Sequence, residues 1–204
     1  MTAASWLTVA EFPLAFLAVG IAQQVAFGGK THLAVWIAGV LMSATGTGGS
    51  GRGATLEVTD SEFSGNAWAG IGVTGGHLVS IVGGTFRDNG ACGVCFLDAS
   101  GGSVSASTLA GNPVGVGVTG TARPTLVDVT IGGGDVGVQL EGASVATLDR
   151  VTVSSATRAA IIVTGTAGGA IGHTSCRSVP YGIVVGPDAA PTLTAVDCAV
   201  AQSG

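Results

Sequence analysis

A short phrase recurs along this chain at nearly constant spacing, and that rhythm limits the fold more than any other feature. Gly70-Ile71-Gly72-Val73 returns at Gly93, Gly115, Gly137, Ala160 and Gly182, with steps of 23, 22, 22, 23 and 22 residues. A second apolar column keeps the same beat through Phe63, Phe86, Leu109, Ile131, Val153, Cys176 and Val200. A third runs five residues ahead of it, through Val58, Ile81, Val104, Leu126, Leu148, Ile171 and Ala195. Three columns sharing one period predict a solenoid.

Each repeat holds three short pieces of alternating polarity, such as Leu56–Val58, Ser61–Phe63 and Ile71–Val73. Alternation places one edge of each piece inward, and Gly, Asn, Asp and Ser between the pieces supply the turns. Three strands and their turns use up the repeat and leave no room for a helix. Successive coils must then stack about 4.8 Å apart, strand on equivalent strand, in parallel. The expectation is all-β: a parallel β-helix of about 6–7 coils over residues 54–204, preceded by an irregular segment at 1–53.

Thr85-Phe-Arg-Asp-Asn-Gly-Ala-Cys-Gly-Val94, with Val129-Thr-Ile131 and Val151-Thr-Val153, resembles the right-handed parallel β-helix repeat family of the pectin-lyase-like superfamily. The resemblance covers roughly residues 54–200. It implies a right-handed single-stranded coil. Its implications for activity are broad, because the fold hosts lyases, hydrolases, epimerases and plain binding modules.

Residues 1–53 break the rhythm. Phe12–Phe27 is apolar but interrupted by Pro13, Gln23 and Gln24, and Leu33–Ala44 is shorter; neither has the length of a spanning helix. No positive charge precedes the apolar stretch, as a secretory signal requires. The segment reads as a capping helix from Pro13 or as one to two irregular coils covering the first regular one. Gly39-Val-Leu-Met42 resembles the recurring phrase, which favours irregular coils.

The chain has 36 Gly, only 9% charged residues and a net charge of −5, with no basic run. Nucleic acid and anionic membrane are therefore poor partners. Asn66, Asn89 and Asn112 recur at one corner, where the left-handed conformation and stacked amides would suit Asn. An outward column of Glu62, Thr85, Thr108, Thr130, Thr152 and Ser175 lacks the second Thr column that an ice-binding face needs.

Two residues before that column lie Asp60, Gly83, Ala106, Asp128, Arg150, His173 and Asp197. Asp128, Arg150, His173 and Asp197 form the candidate binding strip, expected on four consecutive coils. Carboxylate, guanidinium and imidazole could bind a uronate and move its α-proton; alternating charges could equally satisfy one another. The Asp-Pro-His-Glu run of the epimerases and the Asn-Thr-Asp and Gly-His-Gly runs of the polygalacturonases are missing. Clustered Asp able to hold Ca²⁺ is missing too, so no catalytic residue, metal or cofactor is assigned.

Cys92-Gly-Val-Cys95 has zinc-ligand spacing, yet Cys176 should lie about 19 Å off along the axis. In extended chain Cys92 and Cys95 would stand about 10 Å apart, too far for a disulfide. Cys176 and Cys198 could meet on adjacent coils if the last coil shifts register; otherwise the cysteines read as buried thiols. The face through Gly72, Cys95, Gly117, Gln139, Ile162 and Val184 carries no ionisable group but Cys95, and the next outward positions add only Glu141. Ile162 and Val184 make an apolar spot near the C-terminal coil, where a protein partner could cover the edge.

The functional expectation is a non-catalytic surface scaffold or carbohydrate-binding module, with polysaccharide as the partner. The competing reading is a pectin-lyase-like lyase, hydrolase or epimerase acting on acidic glycans. An extracellular or cell-surface address follows only by analogy with the fold.

Overall fold

The computed structural model describes residues 40–42, as backbone, and 55–202. Every regular element among them is a strand, and all strand pairing is parallel. The chain winds through three faces per coil. The first face stacks Thr55–Thr59, Leu78–Val82, Gly101–Ser105, the start of Arg123–Gly132, the start of Val145–Ser154, Gly168–Gly172 and Ala190–Thr194. The second stacks Glu62–Ser64, Thr85–Arg87, Thr108–Ala110, the ends of the two long strands and Ser175–Arg177. The third runs from Val40–Met42 through Ala69–Val73, Cys92–Phe96, Val114–Val118, Val136–Leu140, Ala159–Val163 and Tyr181–Val185 to Val200–Gln202. About six coils result, with part of another at the C-terminal end.

The recurring columns are the core. Phe63, Phe86, Leu109, Ile131 and Val153 pair rung by rung and are buried, with the rings of Phe63 and Phe86 stacked 5.3 Å apart. Ile71, Val94, Val116, Val138, Ile161 and Ile183 close the third wall, each fully buried. Burying such side chains contributes about 1.5–3 kcal/mol apiece.

The glycine that opens the phrase is set by this packing. An added Cβ at Gly70 would lie 2.7 Å from Phe86 Cδ1, at Gly93 2.7 Å from Leu109 Cδ2, and at Gly115 2.5 Å from Ile131 Cγ2.

Asn66, Asn89 and Asn112 form the expected amide ladder inside the coil. Asn66 Nδ2 donates to Asn89 Oδ1 at 2.7 Å, and Asn89 Nδ2 to Asn112 Oδ1 at 2.9 Å. The left-handed residue at that corner is the one before: Gly65, Asp88 and Gly111 have φ of 64°, 53° and 65°. The Asn side chains thereby turn inward, instead of occupying the bend as the sequence reading expected.

Val40–Met42 pairs with Ile71–Val73 in the register Val40↔Ile71, which is the correspondence the phrase implies. The capping helix from Pro13, the loop at 45–53 and the rest of the irregular segment lie outside the described residues. No helix among the described residues is long and apolar enough to cross a membrane.

Three expectations for the last coil need correction together. Ile171 pairs with Leu193 and not Ala195; Cys176 meets Cys198 and not Val200; and Val200 pairs with Ile183 on the third face. Ala195, at φ 51°, continues the column of Asp128, Arg150 and His173 (φ 54°, 52° and 45°), so Asp197 drops out of it. Asp197 bridges instead to Ser175, two positions along. The sequence reading allowed this coil 24 residues from Cys176 to Val200, whereas the coil closes in 22 through the Cys176–Cys198 disulfide.

Candidate functional site

The strip forms at the bend between the first and second faces. Left-handed backbone at Asp128, Arg150 and His173 throws these side chains outward on successive coils. Arg150 holds Asp128 with two hydrogen bonds, Nε to Oδ1 at 2.6 Å and Nη2 to Oδ2 at 3.0 Å. Its Nη1 donates to Asp149, and His173 Nδ1 contacts Asp149 Oδ1 at 2.8 Å. Asp149, one residue before Arg150 on the outer side of the first face, thus joins two members of the strip. Sequence reasoning passed over it because it lies outside the column.

The hydrogen bonds from Arg150 hold the Asp128 carboxyl below its usual range, and Asp128 in turn raises the Arg150 guanidinium. All three nitrogens of that guanidinium are occupied. An incoming carboxylate would therefore compete with Asp128 and Asp149, whose negative charges already surround the guanidinium. Asp197 shares no side-chain hydrogen bond with these residues. Glu62 and Arg87 form a similar ion pair nearer the N-terminal end.

A different arrangement occupies the outer side of the third face. There a groove of about 250 Å³ is floored by Cys92, Cys95 and Val114, with Trp68 and Leu97 on its walls. Gln139 and Glu141 lie toward the C-terminal coils, the amide Nε2 donating to Glu141 Oε1 at 2.5 Å. Trp68 is 42% exposed, unusual for so large an apolar side chain. The groove exists because the outward column reads Gly72, Cys95, Gly117: glycine flanks Cys95 on both neighbouring coils. Among the described residues, Glu141 is the only charged one lining the groove.

Cys92 and Cys95 are disulfide-bonded, with Cα atoms 5.9 Å apart. This overturns the expectation that they stand too far apart, and with it the reading of buried thiols. The strand Cys92–Phe96 is not straight: its pairing passes from Cys92↔Val114 to Val94↔Val116, and Gly93 and Val94 both face the core. Two consecutive inward residues make a bend, and the bend brings the outward cysteines together. Among the described residues no cysteine is free and no group of three or more His, Cys, Asp or Glu could hold a metal ion.

No curated protein and no solved structure matches the chain. A model of the right-handed β-helix region matches residues 43–169. With more than half the sequence matched, and parallel coils stacked through the described part of that span, the chain belongs to the right-handed β-helix family.

Proposed function

We propose that this β-helix is a non-catalytic binding module and that the groove on its third face takes a neutral saccharide unit of a glycan chain. The observation that carries this reading is the groove's make-up: an exposed indole over an apolar floor, with one amide–carboxylate pair at the end. An aromatic face gives a sugar ring a flat apolar platform. A few placed polar groups then fix its orientation. Glu141 would repel a uronate, which favours an uncharged sugar. Proton abstraction needs a base and a second group to stabilise the resulting anion. Glu141 could serve as the first, but its Gln139 partner is already engaged with it, and among the described lining residues no cation stands beside them to serve as the second. The two disulfides suit an oxidising, extracellular setting.

The test is a glycan array alongside a lyase assay on uronate polymers, with and without Ca²⁺. Binding of neutral glycans that weakens about tenfold or more in Trp68→Ala, with no turnover, is the expected result. Turnover of pectate, polygalacturonate or alginate that vanishes in Arg150→Ala, with melting unchanged, would overturn the proposal. It would make Asp128, Arg150, Asp149 and His173 an active site for acidic glycans.

A further inference from the structure

The two disulfides have different relations to the fold. Cys176–Cys198 spans 22 residues and ties neighbouring coils at one end of the core. Cys92–Cys95 spans three residues within one strand and ties nothing that backbone pairing does not already hold. A disulfide stabilises chiefly in proportion to the loop that it closes, so the short one adds little by that route. Its sulfurs instead lie where a small molecule can meet them. Both cysteines line the groove, and both are otherwise enclosed, at 3% and 6% exposure. Access is from the groove side at Gly117, which has no side chain of its own: an added Cβ there would come into van der Waals contact with Cys92 Sγ at 3.9 Å and Val114 at 3.8 Å.

We infer that the Cys92–Cys95 disulfide is a thiol-exchange site, reached through the groove by small thiols. An incoming thiolate attacks one sulfur, forming a mixed disulfide while the Cys92–Cys95 bond breaks. The departing cysteine leaves as a thiolate and takes a proton from water. A second thiol then attacks the mixed disulfide, giving a free small-molecule disulfide and two cysteine thiols; the entering thiols are oxidised as the protein pair is reduced. Among the described residues lining the groove there is no cation to favour the departing thiolate. Exchange is therefore slow at neutral pH and speeds up as the entering thiol ionises.

The experiment treats the folded chain with 2-mercaptoethanol or with a polymer-linked thiol, alkylates at intervals, and maps cysteines by mass spectrometry. The small thiol should open Cys92–Cys95 in protein that keeps its native circular-dichroism spectrum, with the polymer thiol at least about tenfold slower. In Gly117→Leu, whose side chain would cover the disulfide, the small thiol should slow by about the same factor. The size comparison on the unaltered chain stands even if that variant folds poorly. Equal rates for the two thiols, or reduction only in unfolded protein, would overturn the inference. Neither result bears on glycan binding, which Trp68→Ala tests separately.

Discussion

Gly137 and Val153, sixteen residues apart, share one slot in the core: a Cβ on Gly137 would lie 2.5 Å from Val153 Cγ1. The same position would also crowd the carbonyl of Ala160 on the next coil, at 2.5 Å.

Gly137→Ala should therefore destabilise the fold by about 1–3 kcal/mol, the usual cost of overpacking a core. Urea unfolding measures it. In an open strand the same change would stabilise by about 0.5–1 kcal/mol, so a gain in stability would show that the slot is not shared.

The amide ladder makes a second prediction. Asn89 Oδ1 accepts from both the backbone N–H and Nδ2 of Asn66, and Asn89 Nδ2 also donates to the Phe63 carbonyl. Asn89→Ala would strand these buried groups at a cost of roughly 2–4 kcal/mol. Amide hydrogen exchange should quicken at Asn66 first. Unchanged exchange there would mean that the ladder contributes nothing.

Asp128 gives stability a pH dependence of known sign. Its carboxyl is held below the usual range by hydrogen bonds from Arg150. A depressed carboxyl adds stability that is present above its unfolded pKa and lost as pH falls through its folded pKa. Arg150→Ala removes that increment, which is small because the pair is exposed. Unfolding curves of the two proteins, separated at neutral pH, should converge in acid; a gap that persists or widens there would contradict this assignment.

Removing the Cys176–Cys198 bridge by paired Ser substitutions should cost about 3 kcal/mol, as expected for a loop of that length. The same change at Cys92 and Cys95 should cost less, under about 2 kcal/mol. Thermal melts under oxidising conditions compare the two. A larger loss at Cys92–Cys95 would mean that the bend at Gly93 depends on the disulfide.

The coil walls were legible because each inward column repeats an apolar side chain at one spacing, as in Phe63, Phe86 and Leu109. Where two spacings fitted equally well, the sequence misled. Val200 is as apolar as Cys198, so the column was carried two residues too far, and Asp197 followed it into the strip. The groove was half legible: the outward face of Gly72, Cys95, Gly117 and Gln139 was seen to lack charge. Its shape was not, because one wall is Trp68, which precedes the repeating phrase and belongs to none of the columns. Asp149 escaped notice for a related reason. It reaches Arg150 and His173 across a bend, and alternation along one strand does not reveal such contacts.

The interior column runs Phe63, Phe86, Leu109, Ile131, Val153, Cys176, so the side chains filling it shrink along the described coils toward the C-terminal side. Its coils are consequently not interchangeable, although their strands pair in one register. A copy of the Phe86 coil inserted after Val153 would drive a ring into a wall shaped for a smaller side chain. A copy of the Val153 coil placed beside Phe63 would leave a void. Lengthening by duplication is thus open mainly to neighbours of similar bore. The Cys176–Cys198 crosslink stands where the column has least volume left to hold successive coils together.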